Sequence, residues 1–285
     1  MSDPVPYLTV PEVYDLLISW LKSRESFYHV RYGDGEVNAM FNLADAGAVN
    51  SDGHSYHYTD MGPALIDTFV EMYTARQRGN KIIGSFALVD REHPAAIKLW
   101  NWVNEIGGMY RIPVKDIKWA SSDFWFWPWL SYCNGELERL FKTIRRYSES
   151  NLVVLVSSDA VSQAKHCIGA KHVFVPGTNS WLARHAIYHS CLTNYHNAGD
   201  DPALFIWCAG FAGKVLSWEI HRDYPDTCHI DMGHLFDGIF GNNSRDWLTD
   251  KPLDYCRPDI LEKTRQYYRN VLKPYVFSFI PSGSV

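Results

Sequence analysis

Short apolar runs without polar alternation recur along the chain, and most are followed by a stretch in which apolar positions return at helical spacing. The runs at 27–31, 81–86, 117–120, 152–156, 172–175, 203–208 and 227–230 read as strands. Leu152-Val153-Val154-Leu155-Val156 is apolar at every position, as expected of a strand covered on both faces of a parallel sheet. The helical spacings fall at 10–21, 37–41, 61–76, 94–106, 159–168, 180–193 and 211–223, and a charged helix is expected at 257–271. Thr9 and Pro11 mark the start of the first of these, as a cap and a first-turn proline.

Strands alternating with helices across short connections predict an α/β fold: a Rossmann-like, mostly parallel sheet flanked by helices, with a C-terminal helical extension. The alternation stops near 241, where Gly241-Asn242-Asn243-Ser244 begins a polar stretch. Residues 1–241 are therefore expected to form the α/β domain. Residues 242–285 are expected to form an extension with one helix packed on that domain and a frayed end at 282–285.

Composition narrows the function classes. With 285 residues and 46% hydrophobic content the chain can bury a substantial core. A formal charge of −5 argues against broad DNA binding by phosphate neutralisation and leaves room for a local basic patch. No apolar run is long enough to span a membrane, and Met1 to Pro6 lack the features of a signal peptide, so a cytoplasmic location is expected. The 6 cysteines are scattered without a C-x-x-C pair, which disfavours structural zinc. The 11 tryptophans are many; Asp123 to Trp129 is an aromatic cluster suited to core packing or to stacking on a sugar.

Ligands of open α/β sheets gather at the carboxyl ends of strands. The first such stretch is Arg31-Tyr32-Gly33-Asp34-Gly35-Glu36. Its two carboxylates offer hard oxygens suited to Mg²⁺ or Mn²⁺, and also suit a helix start with Asp34 as cap and Glu36 in the first turn. The loop Pro176-Gly177-Thr178-Asn179-Ser180 is the second. Ala209-Gly210-Phe211-Ala212-Gly213-Lys214 is the third: small residues expose amides at a helix N-terminus with Lys214 one turn in, an arrangement that favours a phosphate. It is neither a Walker A loop nor G-x-G-x-x-G. Asp231-Met232-Gly233-His234 adds a carboxylate and an imidazole. His54 and His57 stand beside Asp52 in a polar loop with ligand-binding potential, whereas His185 and His189 lack a third partner for zinc.

Taken in order, Arg31 to Glu36, Cys208 to Leu216 and Ile230 to Asp237 resemble the GT-D-type glycosyltransferases, and Asp52-Gly53-His54-x-Tyr56 is similar to a loop of some members. The resemblance covers about residues 10–240. It implies a domain that binds a nucleoside diphosphate-sugar, a UDP-sugar being the expected donor, with a divalent cation (Mn²⁺ or Mg²⁺) at Asp34 and Glu36. Arg31, Gly33, Gly35 and His54 are then expected at the donor, Gly210, Gly213 and Lys214 near the phosphates, and Asp231 and His234 at the sugar end. Asp34, Glu36, Asp231 and His234 form the expected catalytic set. Phe211 and Gly213 depart from the family pattern, and the stretches at 123–129 and after 241 have no counterpart in it. The implied activity is metal-dependent hexosyl transfer to a hydroxyl of a glycan or glycoconjugate. The alternatives are transfer to hydroxylated bases in DNA and a non-catalytic nucleotide- or glycan-binding module. The oligomeric state is open.

Overall fold

The computed structural model describes residues 7–43, 59–75, 80–85, 94–121, 135–199, 202–237, 239–240, 262 and 266–281. Its strands are β1 (Tyr7–Leu8), β2 (Phe27–Tyr32), β3 (Asn80–Ser85), β4 (Trp119–Ser121), β5 (Val153–Ser157), β6 (Lys171–Phe174), β7 (Leu204–Trp207) and β8 (Cys228–Asp231). They form one 8-stranded sheet in the order β1-β4-β3-β2-β8-β7-β5-β6, and every pairing in it is parallel.

The helices are α1 (Val10–Ser23), α2 (Asp34–Phe41), α3 (Met61–Thr74), α4 (Pro94–Tyr110), α5 (Glu136–Tyr147), α6 (Ala164–Ile168), α7 (Arg184–His196), α8 (Gly210–Asp223) and α9 (Lys273–Phe277). Connections that step along the sheet toward β1 carry α2, α3, α4, α7 and α8 over one face. Those that step the other way carry α1, α5 and α6 over the opposite face. Right-handed crossovers require this division, and it encloses one apolar core on each side of the sheet.

Local sequence sets the element ends. At the start of α1 the Thr9 N–H donates to Glu12 Oε2 at 2.7 Å, which satisfies one of the amides a helix start leaves open. Arg24 ends the helix in the left-handed region at φ 57°. The patterned helices appear within a few residues of their expected bounds. Those at 159–168 and 180–193 each open with a 3₁₀ turn, Asp159–Val161 and Ser180–Ala183. Of the C-terminal helix expected at 257–271, the described residues 262 and 266–271 are helical. It runs through a π-helical turn at Tyr268–Leu272 into α9, and Leu272 and Val276 are fully buried in the core beside α6. Two elements have no counterpart in the sequence reading, β1 and α5. In α5, Leu137, Leu140, Phe141 and Ile144 repeat at i, i+3, i+4 and i+7 and are all buried, a helical signal that was there to be read.

Helix α8 is anchored at its far end by a buried relay. Trp207 Nε1 can only donate, and it meets His229 Nδ1 at 3.0 Å. His229 Nε2 must then carry the ring proton and give it to Thr227 Oγ1 at 2.8 Å; the Thr227 hydroxyl in turn donates to the Tyr224 carbonyl at 2.6 Å. Burial holds this imidazole neutral, pushing its pKa well down. Tyr28 adds a second tie from β2, within 3.0 Å of Ser217 Oγ and 3.3 Å of the Lys214 carbonyl.

Helices α2 and α3 approach so closely that a Cβ at Gly62 would lie 2.6 Å from the Ala39 carbonyl oxygen. Alanine favours a helix over glycine by about 1 kcal/mol, but forcing atoms into a filled core costs about 1–3 kcal/mol. Because the obstacle is backbone, the clash wins. Gly62→Ala should lower stability by up to about 2 kcal/mol, read as a lower urea midpoint with an unchanged slope.

Candidate functional site

The connection after β5 crosses one face of the sheet to β6, and the connection after β7 crosses the other face to β8. Adjacent strands whose connections part in this way leave a crevice at their carboxyl ends. A cleft of about 630 Å³ lies there, bounded by the segments that follow β2, β5, β6, β7 and β8.

At the β2–β8 side stands a buried charge network built from three segments far apart in sequence. Lys214, one turn into α8, donates from Nζ to Asp231 Oδ2 at 2.5 Å and lies 3.5 Å from Glu36 Oε1. Asp231 Oδ2 also accepts the Arg31 N–H at 3.1 Å, and Oδ1 accepts the Gly233 N–H at 3.1 Å with Arg31 Nε at 3.7 Å. The Lys214 and Asp231 side chains are only 5% and 6% exposed, so neither charge could be held there without the other. Burial by itself raises the Asp231 carboxyl. The charges of Lys214 and Arg31 and the Lys214 hydrogen bond outweigh it and hold the pKa down at about 2. Asp231 is thus a fixed anion with both oxygens engaged.

Arg31 lies against the backbone of the last segment. Gly233 has φ +50°, a conformation that favours glycine, and a Cβ there would fall 1.9 Å from Arg31 Nη2, so a side chain at 233 would force the guanidinium to move. Glu36 is fixed at the start of α2 by accepting the Gly33 N–H on Oε2 at 2.9 Å. Asp34, the other half of the D-x-E, is exposed in the first turn of α2 and does not line the cleft. Gly35 follows it in that turn.

The middle of the cleft is the N-terminus of α8. Gly210 begins the helix at φ +54° and lines the cleft, where first-turn amides have no intrahelical acceptor. Gly213 points away from it and packs the helix onto Trp207 and Ala209. Cys208 also lines the cleft, and burial pushes its thiol well up, so it is protonated.

At the far side Ser158, Asp159 and Thr178 line the cleft, and Ser180 Oγ donates to the Ala209 carbonyl at 2.9 Å, tying the β6 loop to the start of α8. Asp159 is exposed there. Its place was signalled by Ser157-Ser158-Asp159 directly after a strand, and the sequence reading passed over it. At the near mouth His234 is part-exposed, with Nε2 4.0 Å from Asp237 Oδ2, and both residues line the cleft. Asp237 was another functional candidate missed, three residues after His234. His54, His57 and the aromatic cluster at 123–129 lie outside the described residues.

Among the described residues no group of three or more His, Cys, Asp or Glu side chains is placed to hold a metal. Arg31 and Lys214 balance Glu36 and Asp231, so the network is formally neutral. A diphosphate brings at least about two negative charges, and a helix N-terminus offsets only about half of one. Of the D-x-E pair, Glu36 alone lines the cleft and offers a hard oxygen donor there, and Mg²⁺-type sites commonly complete their shell with substrate phosphate oxygens and water. The residues therefore fit a cation shared with a bound diphosphate, not one caged by protein alone.

No family model, no curated protein and no solved structure matches this chain.

Because the Asp231 pKa is depressed from 3.8 to about 2, its contribution to stability is complete above the unfolded-state value and disappears as pH falls through about 2. The size is about 2 kcal/mol. Denaturant midpoints measured from pH 5 downward should fall below about pH 4 in the wild-type chain. Asp231→Asn should be less stable by about 3–5 kcal/mol at neutral pH and should lack that component of the acid limb.

Proposed function

We propose that the chain is a glycosyltransferase that moves a sugar from a nucleoside diphosphate-sugar to an acceptor hydroxyl. One observation carries the reading. Arg31 with Glu36, Lys214, and Asp231 with Gly233, which come from the three stretches resembling GT-D-type enzymes, meet around a single network at one edge of one cleft.

In this reading the diphosphate lies over the N-terminus of α8, where amides and the helix dipole favour an anion. Lys214 and Arg31, already desolvated and fixed, face the charge that grows on the leaving group as its bond to the anomeric carbon breaks. Preset charges of this kind stabilise a transition state without reorganising. Glu36 is the residue that would hold a divalent cation at the diphosphate, with Asp34 outside the cleft; such a cation, when bound, supplies further neutralisation of the leaving diphosphate. Asp159, Ser158 and Thr178 at the other end of the cleft are the polar groups suited to ribose and base.

The proton of the acceptor hydroxyl needs a base. Asp231 is unsuited, since a carboxylate held at about 2 by two cations has little affinity for a proton. His234 stands at the mouth of the cleft with Asp237 behind it, and we assign it the role of base, with Asp237 stabilising the imidazolium. The acceptor oxygen then bonds to the anomeric carbon, the diphosphate leaves with the bonding pair, and the proton ends on His234.

UDP-sugars with Mn²⁺ should raise the melting temperature of the wild-type chain, since a ligand bound only by the native state stabilises it. Glu36→Gln should weaken that donor binding by about tenfold or more in calorimetry, corresponding to the loss of a charged ligand worth at least about 1.4 kcal/mol. His234→Asn should leave donor affinity within about twofold and lower transfer by about a hundredfold or more. Absence of any nucleotide-sugar response in the wild-type chain overturns the reading. Binding with no diphosphate release on glycan or DNA acceptors identifies a binding module instead.

A further inference from the structure

A second concave surface lies at the opposite, amino-terminal end of the sheet, where the last turns of α1 and α5 lead into β2 and β5. This groove of about 500 Å³ is bordered by Lys22 and Arg24 on the α1 side and by Arg139, Lys142 and Arg146 along α5. In α5 these basic residues recur at one- to two-turn spacing on the same side of the helix.

Arg139 is paired with Asp15 and Glu136. Among the described residues, Lys22, Arg24, Lys142 and Arg146 have no carboxylate partner. Arg24 donates to Ser150 Oγ, and the Lys142 ammonium lies over the Tyr275 ring. One carboxylate, that of Glu149, lines the groove without pairing to them. Helix-end placement accounts for Lys22 and Arg146, which offset the negative ends of α1 and α5. It does not account for Lys142, in the body of α5, nor for four exposed cations left without counter-charge in a chain of net charge −5. Self-repulsion among them is a cost that a polyanion would remove.

The shape and lining narrow the partner. A groove of about 500 Å³ can take in a stretch of single strand but cannot enclose a duplex. Among the described residues its lining offers no exposed aromatic side chain on which bases would stack, Tyr147 being buried with its hydroxyl on the Pro202 carbonyl. Exposed apolar anchors for a lipid surface are likewise missing, since Leu21 is buried in the floor. Arg24 and Arg146 supply guanidinium forks matched to phosphate, and Lys22 and Lys142 supply point charges.

We propose that this groove binds the sugar–phosphate backbone of a single-stranded nucleic acid, independently of base sequence and of the cleft at the other end of the sheet. Neutralising four phosphates on a single strand predicts a slope of about −3 in log K against log salt. Fluorescence anisotropy of a labelled oligothymidylate on the full chain, titrated at several salt concentrations, tests it. The expected result is salt-sensitive binding with a slope near that value. The Lys142→Glu, Arg146→Glu double variant should bind at least about tenfold more weakly with a slope reduced by about 1.4, and Lys22→Glu on the facing helix should reduce the slope by about 0.7. All three positions are exposed, and circular dichroism checks that the variants fold. A flat salt response, unchanged affinity in both variants, or binding of heparin without binding of the oligonucleotide overturns the proposal. Because the readout uses no nucleotide-sugar, its outcome is separate from that of the glycosyl-transfer reading.

Discussion

The ion pair between Lys214 and Asp231 is the constraint on which the rest of the site depends. Each charge is too deeply buried to be held alone, so the fold must deliver both, at hydrogen-bond distance, one from helix α8 and one from strand β8. That delivery is the work of the core beneath. The Trp207–His229–Thr227 relay fixes one end of α8 against β7 and β8, while Tyr28 ties its middle to β2. With α8 held, Lys214 has one place to go. Asp231, at the end of β8, then gathers Arg31 and Gly233 around itself, and Glu36 completes the ring from α2.

The sheet explains why the cleft lies where it does. Strands β7 and β5 are neighbours, yet their connections leave on opposite faces, and among the described residues no helix crosses the gap between their carboxyl ends. The cleft is therefore a by-product of winding order, and its chemistry is an addition made by five loops. Fixed cations and helix amides occupy one side and the middle, and hydroxyl groups and an exposed carboxylate occupy the other. Such an asymmetric lining suits a ligand that is anionic in one part and hydroxylated in another.

Much of this was legible in the chain. Parallel strands announced themselves because burial on both faces removes polar alternation, as in 152–156 and 203–208. Helix α5 escaped notice because its exposed face is dense with charge, which hides the apolar stripe beneath, and β1 because two residues carry no periodicity. Glu36, Lys214 and Asp231 were each identified as residues at strand ends, but their mutual pairing was not, since no local pattern records a contact across the sheet. The roles also sort differently in space. Asp34 and Glu36 look equivalent as D-x-E, yet helical rotation between N1 and N3 leaves one exposed and turns the other inward. Gly213 looked like part of a phosphate loop and proves to be a packing contact for Trp207.

The contact between Arg31 and Gly233 makes two distant positions a single steric unit. The guanidinium occupies the volume that any side chain at 233 would need. A homologous chain with a larger residue at 233 must therefore have moved or shortened the residue at 31. In doing so it would lose one of the two cations that keep Asp231 ionised in the dark of the protein interior. Drift at the one position is thus paced by the other, and a pair of exchanges, seldom a single one, is the path by which this corner of the cleft can change.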